Sequence, residues 1–284
     1  MCKKGKKHVL RFCFLIGLTV LTLFSGAARG EDLIKIGGVG SALGAMKLIA
    51  AAFEKSHPGI KVQVLPSLGS SGGIKAVLQG ALDIGLSGRL LKDDEKGEGA
   101  VAIEFARTPF IFITTKDIQK AGLTTQELEK IYGGQIQKWP DGTRIRLVLR
   151  PEGDSDTNIL KGLSPGMSQA VKSALARKGM AFAVTDQENV KKMEKMPGAF
   201  GLSTLTQIIT ENAPFKILSF NGVKPNVKAL ADGSYPLFKP LFLVTVPAKT
   251  PPTARQFIAF VQSPAGRKIL ANSGNLSVEG KSGL

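Results

Sequence analysis

The sequence predicts an α/β fold built in two lobes, and three observations predict it. From residue 32 onward, apolar runs of strand length alternate with runs of helical periodicity. The strand-to-helix turns are rich in Gly and Ser. Two long, nearly continuous apolar stretches, "RTPFIFITT" (107–115) and "YPLFKPLFLVTVP" (235–247), flank a self-contained middle. That is the pattern of a chain that crosses into a second lobe and returns.

The first thirty residues stand apart. A basic leader "MCKKGKKHVLR", an apolar core "FCFLIGLTVLTLF" and a small-residue exit "SGAARG" have the layout of a secretory signal peptide. The apolar core is short of the roughly 20 residues that a membrane span needs. Ala28 and Gly30 suit the −3 and −1 positions, so a mature chain starting near Glu31 is expected. Both cysteines, Cys2 and Cys13, fall in this leader, and the mature chain is expected to hold no disulfide, thiol nucleophile or thiolate metal site.

Beyond the leader, "DLIKIGG" reads as a strand and "SALGAMKLIAAAFEKSHP" as a helix. Leu43, Met46, Ile49, Ala50 and Phe53 recur there at three- and four-residue steps, which gives one buried face. His57–Pro58–Gly59 ends that helix. "IKVQVLP" follows as a strand, "GIKAVLQGAL" as a helix and "DIGLSG" as a short strand. A βαβαβ start implies a mainly parallel sheet with ligands at the strand carboxyl ends. "DDEKGEGAVA" (93–102) reads as a polar loop before the long strand 107–115. Next come the helix "TTQELEKIYGG", the segment "KWPDGTRIRLVLRPEGDSDT", further helical runs and "PGAFGLSTL". After the second long strand, "PTARQFIAFVQSPAGRKILANSG" reads as a helix and "SVEGKSGL" as a polar tail.

Composition narrows the function. The chain carries 38 Lys and Arg against 22 Asp and Glu, a formal charge of +16. Without the six basic residues of the leader the balance is 32 to 22, or +10. Such a surface raises the local concentration of anions. No basic run is interleaved with aromatics, and there are only one Trp and two Tyr, so no nucleic-acid partner is expected. Beyond the leader the one histidine is His57, in a helix-ending context. Ser–His–Asp, Cys–His and multi-histidine metal chemistry are therefore not expected; neither is an enzyme, a metal or a cofactor.

Three turns offer anion donors. "GGVGSALGAMK" places Gly40, Ser41 and Ala42 at a strand-to-helix turn, without the G-x-G-x-x-G spacing of a dinucleotide loop or the Lys of a Walker loop. "LPSLGSSGGIKAVLQG" (65–80) places Ser70 and Ser71 beside three glycines where a helix begins, a point with unpaired N–H donors and a partial positive charge. "LVLRPEGDSDTNIL" (147–160) ends an apolar strand at Arg150, whose planar donor fork matches two oxygens of an oxyanion, with Ser155 and Thr157 following. Glu152 could hold that guanidinium in place. Taken singly, each has a plain reading: a tight turn, a helix cap, a surface Arg–Glu pair with an Asp cap. Taken together, they describe a pocket of neutral donors for a small dehydrated anion. About five to seven charge-assisted hydrogen bonds at roughly 1.5–3 kcal/mol each would exceed the approximately 8 kcal/mol of a micromolar complex, leaving a surplus for desolvation and lobe closure.

"LGSSGGIKAVLQGALDIGLSGR", "LRPEGDSDT", "PGAFGLSTL" and "GSYPLFKPLFLV", in that order, resemble the phosphate-binding proteins of bacterial ABC phosphate importers, a branch of the periplasmic substrate-binding superfamily. The resemblance covers nearly the whole mature chain. It implies a type II periplasmic binding protein fold, in which two lobes, each a mainly parallel sheet flanked by helices, are joined by two hinge strands. The expected divisions are 1–30 signal peptide, 31–110 first part of lobe 1, 111–239 lobe 2 and 240–284 the return to lobe 1. It further implies a periplasmic monomer that captures inorganic phosphate or a similar oxyanion and delivers it to an ABC permease in the inner membrane. Binding of molybdate, tungstate, sulfate or a phosphonate, or service to a sensor, is the alternative.

By position, the family's anion donors fall on the turn at Gly40, Ser41 and Ala42, on Ser70 and Ser71, on Arg150, and on Ser155 and Thr157. Two departures stand out. Asp156 replaces the second Gly of the family's Gly-Ser-Gly-Thr, and Gly88, followed by Arg89, replaces an Asp that accepts a hydrogen bond from protonated phosphate. An unpaired phosphate hydroxyl costs about 1–3 kcal/mol. Either Asp156 supplies the missing acceptor, or Arg89 adds a second cation for a more highly charged ligand, or Arg89 is a solvated residue near the hinge.

Overall fold

The computed structural model describes residues 32–278. The expected signal peptide, its two cysteines and the end of the polar tail lie outside the described residues.

The first lobe begins as read. Strand β1 (Asp32–Gly38) leads into α1 (Gly40–Ser56), β2 (Ile60–Val64), α2 (Gly69–Leu78) and β3 (Ile84–Ser87). β1 pairs in parallel with both β2 and β3. The helix α2 starts four residues before the expected "GIKAVLQGAL", because the small residues wind as its first turn. The packing explains why they are small. A Cβ on Gly73 would stand 2.6 Å from the Cα of Gly38 at the end of β1. Glycine is what lets the helix lie on the strand.

A short helix α3 (Asp93–Gly97) then occupies the segment expected to be a loop, and β4 (Val101–Thr115) runs for 15 residues. The short helix exists because Glu95 accepts from the Lys92 N–H at 2.8 Å while also holding the Arg89 guanidinium. Sequence distance hides that second partner.

The chain continues through β5 (Gly122–Leu123), α4 (Thr125–Gly133), β6 (Arg146–Leu149), α5 (Ser155–Lys161), α6 (Pro165–Ala176), β7 (Ala181–Phe182), α7 (Asp186–Glu194) and β8 (Ala199–Thr204). It ends with α8 (Leu205–Glu211), β9 (Phe215–Phe220), α9 (Val227–Ala231), β10 (Phe238–Thr245), α10 (Pro252–Gln262), α11 (Pro264–Asn272) and β11 (Leu276–Ser277). The last long helix of the sequence reading is thus two. Ser263 caps the second, accepting from the Gly266 N–H at 3.2 Å, and Pro264 at its first position stops the first.

The strand order is β2-β1-β3-β10-β4-β8-β6-β7. β4 joins the two halves: residues 101–109 pair with β10, and residues 110–115 pair with β8 and β9. The sheet is mixed rather than mainly parallel, because β4 leaves the first lobe and β10 returns to it. These two run antiparallel to each other, and β10 runs antiparallel to β3 as well.

Each half has its own core. In the first, Ile34 and Ile36 of β1 pack with Met46, Ile49 and Phe53 of α1, Leu241 and Leu243 of β10, and Phe257 of α10. In the second, alternate residues of β4 divide between the two sheet faces. Phe110 and Phe112 join Tyr132, Trp139, Phe200 and Tyr235, while Ile111 and Ile113 join Val148, Met193 and Phe215. Among the described residues no helix is long and apolar enough to cross a membrane.

Candidate anion-binding site

The carboxyl ends of β1, β3 and β6 bring three turns toward β10, and the residues that meet there are almost all buried. Arg150 follows β6 and is 4% exposed. Its Nη1 donates to the Ala183 carbonyl at 3.1 Å and its Nη2 to Asp154 Oδ2 at 3.0 Å. Asp154, four residues on and at the N-cap of α5, therefore holds the guanidinium. Glu152, expected in that role, is instead paired with Lys161 at 2.9 Å, because its side chain points to solvent. Asp154 Oδ1 also accepts from the Asp156 N–H at 2.9 Å, and Thr157 Oγ1 donates to the Arg150 carbonyl at 3.2 Å. Thr157 is a brace for the arginine.

Asp156 is the hub. Its Oδ2 lies 3.9 Å from Arg150 Nε, and its Oδ1 accepts from Lys239 Nζ at 2.5 Å. Lys239, on β10, has no exposed surface. Its ammonium also lies 3.6 Å from Oδ1 of Asp186, the first residue of α7, whose Oδ2 accepts from the Ser41 N–H at 3.2 Å. Ser41 Oγ is buried with no hydrogen-bond partner. The Ala42 N–H turns to the Val39 carbonyl at 3.3 Å.

Gly88 accounts for the position of the lysine. A Cβ there would stand 2.5 Å from Lys239 Cε and 3.3 Å from Ser155 Oγ. The space that a side chain at 88 would need is filled by the lysine stem. The Gly88 N–H donates to Ser70 Oγ at 2.9 Å, which leaves the Ser70 hydroxyl proton available for another acceptor.

Ser41, Ser70, Arg150, Ser155, Asp156 and Thr157 thus meet in one place. Ser71 and Arg89 form a separate group. The Arg89 guanidinium makes a bidentate pair with Glu95 at 2.7 and 2.8 Å and donates to Ser71 Oγ at 3.0 Å. Two functional candidates escaped the sequence reading. Lys239 left a signal, being the lone charge in an otherwise apolar strand, "YPLFKPLFLVTVP". Asp186 left none, since an Asp in the first turn of a helix looks like any other favourable charge at a helix start.

The cluster sets two cations, Arg150 and Lys239, against three carboxylates, Asp154, Asp156 and Asp186. Burial pushes the Asp156 carboxyl up to about 6, even though Lys239 opposes the shift, and the neighbouring Asp186 and Asp154 add to it. Burial would raise Asp186 as well, but Lys239, Arg150 and the Ser41 N–H outweigh it and hold that carboxyl below its ordinary value. Lys239 is held charged because Asp156 and Asp186 outweigh its desolvation. A cluster with one more negative than positive charge resists a further anion unless a proton arrives with it or is taken up by a carboxylate.

The sequence profile of the PBP superfamily domain matches residues 25–265. The chain belongs to the PBP superfamily. Among its relatives, the phosphate-binding protein PstS of Borreliella burgdorferi is 26% identical over 282 residues, covering 96% of this chain and 99% of that one. The phosphate-binding protein PstS of Bacillus subtilis is 29% identical over 228 residues, covering 75% and 71%. Solved structures share the PBP fold, a mixed α/β architecture in two lobes. A Clostridium perfringens protein described as a phosphate ABC transporter substrate-binding protein, with phosphate bound, superposes with a TM-score of 0.76 at 22% identity, covering 87% of this chain and 100% of that one. An ABC-type phosphate transport receptor from Vibrio cholerae gives 0.62 at 20% identity, with the same coverage.

Proposed function

We propose that this chain is an extracytoplasmic binding protein that captures inorganic phosphate between its lobes and delivers it to an ABC importer. The observation that carries the reading is the convergence of both lobes on one buried polar group. Ser41 and Ser70 come from the first lobe, Arg150, Ser155, Asp156 and Asp186 from the second, and Lys239 from the strand that connects them. The buried, unpartnered Ser41 hydroxyl is the sort of donor that an anion would satisfy. The lobes of this reading are 31–110 with 240–284, and 111–239, in line with the separate cores. The relatives named above, all phosphate-binding proteins or phosphate transport components, support the same assignment.

The charge balance favours phosphate over a fully deprotonated oxyanion. Phosphate brings its own proton, which a carboxylate at Asp156 can accept; sulfate brings none. Turnover is not part of the reading, because neither serine has a histidine beside it. His57 stacks on Phe53, with ring centroids 4.0 Å apart, at the opposite end of α1 from Ser41, about 25 Å away.

Arg150→Met tests the assignment by titration calorimetry with phosphate. Loss of the charged fork, with Asp154 and Asp156 left uncompensated, should weaken binding by at least about 100-fold, roughly 2.7 kcal/mol. Unchanged affinity would remove Arg150 from the site. A second reading, another tetrahedral oxyanion, is favoured by Gly88 alone. A thermal-shift panel with phosphate, sulfate, molybdate and a phosphonate separates the two, and a large response to sulfate with none to phosphate would overturn the first.

A further inference from the structure

We infer that the second lobe carries another binding site, for a small organic anion with an apolar body, at the end of the sheet remote from Arg150. A cavity of about 550 Å³ opens where β6 and β7 begin, between the carboxyl ends of α4 and α6. Arg146 starts β6 and Arg150 follows its other end, so the length of the strand, about 13 Å, separates this cavity from the residues described above. Its volume falls within the range of small-molecule sites.

The lining divides into two kinds of surface. Arg144, Arg146, Arg177 and Lys178 supply four cations, and no Asp or Glu lines the cavity. Among the described residues, none of the four is in an ion pair. Arg144 and Arg146 are two residues apart on extended chain, so they project to the same side. Arg177 is held in place by its Nη2, which donates to the Tyr132 carbonyl at 2.8 Å. It lies over the left-handed Gly134 that ends α4, where a Cβ would come within 2.9 Å of Nη2. Its remaining guanidinium donors are available to a ligand. Ile131, Met180 and Met196 supply the cavity's apolar floor, while Ile145 and Leu147, which alternate with the two arginines along the strand, border it.

Uncompensated cations around one concavity raise the local concentration of anions, and arginine forks match carboxylate, sulfonate or phosphate oxygens in pairs. A bare inorganic anion would leave the floor wet. An acidic group carried on a ring or a short chain uses both surfaces. This site is independent of the reading given for the cleft.

The test uses the fluorescence of anilinonaphthalene sulfonate, an aryl anion, with phenylnaphthylamine as its uncharged counterpart. With the intact chain the sulfonate should bind saturably, unaffected by saturating phosphate and equally well to Arg150→Met. Arg144→Glu with Arg146→Glu should weaken it at least about tenfold, and Arg144→Gln with Arg146→Gln by an intermediate factor, while phosphate binding stays unchanged. The uncharged dye should bind at least about tenfold more weakly than the sulfonate. Equal sulfonate binding by the Gln pair and the parent chain, equal binding of both dyes, or displacement by phosphate would each overturn the inference. So would recruitment to phosphatidylglycerol vesicles through the same arginines without dye binding, which would make this a membrane contact.

Discussion

Asp156 and Lys239 form the most consequential pair of side chains in the site, since each removes a difficulty created by the other's burial. Burial disfavours the charged form of each, the carboxylates hold the ammonium charged, and the ammonium lowers the Asp156 carboxyl. The carboxyl at 156 still titrates near 6, with Lys239 of β10, Asp186 of α7, Asp154 and Arg150 beside the start of α5, and Tyr132 of α4 as its charged or titratable neighbours. As pH falls from 8 to 5 the group changes from a pure acceptor to a donor, so sulfate should gain affinity relative to phosphate. Competition calorimetry at the two pH values should show the preference for phosphate shrinking on acidification, and Asp156→Asn should flatten that dependence. For stability the sign is separate. A carboxyl raised in the fold stabilises it below the unfolded value and loses that contribution as pH rises through about 6. Gly88→Asp, which would supply the acceptor that the family resemblance leads one to expect there, should instead lower both stability and affinity, because its Cβ meets the lysine stem at 2.5 Å. Thermal unfolding and phosphate titration measure the two losses, and adding Lys239→Ala should relieve the clash without restoring affinity, because Arg150 would then face four carboxylates alone.

At the scale of elements, a buried tyrosine ties one crossing strand to the other. Tyr235, just before β10, is fully buried and donates its hydroxyl to the Phe110 carbonyl of β4 at 2.7 Å. Tyr235→Phe leaves that carbonyl short of one partner and should cost about 1–2 kcal/mol in denaturant unfolding. No change would mean that water replaces the hydroxyl. Elements with strong local signals were legible: β1 as "DLIKIGG", and α1 by the spacing of Met46, Ile49 and Phe53. The first turn of α2 was not, since Gly-Ser-Ser-Gly-Gly reads as a break until Gly38 is seen against Gly73. The helix α3 was hidden because Arg89 neutralises Glu95 across a turn of the chain. Gly, Ser and Arg concentrated at three turns made half of the site readable. The other half, Asp186 and Lys239, depends on contacts such as Lys239 to Asp156, 83 residues apart, that no local pattern announces.

For the molecule as a whole, an anion held by both lobes should stabilise them together. Phosphate at about 100 times its dissociation constant adds roughly 2.7 kcal/mol, which for a domain of this size corresponds to a rise of roughly 5–10 °C in the midpoint. Calorimetric scans should show one shifted transition; a shift confined to part of the melting curve would mean that the ligand touches a single lobe. The crossing itself is weakly laddered. Pro109 in β4 faces Phe238, Pro240 in β10 faces Arg107, and the register slips between Leu241 and Phe242. Prolines offer no amide hydrogen, so this short span carries fewer ladder hydrogen bonds than a regular pair of strands. Lys239 is next to Pro240 on that span. A charge mounted on the axle cannot keep still when the axle turns: any swing of one half against the other shifts the ammonium relative to Asp156 and Asp186, and any change in what the ammonium touches applies torque to the swing. On the function proposed above, occupancy and posture would then be coupled through a single strand, and a docking transporter could sense through it whether its carrier is loaded.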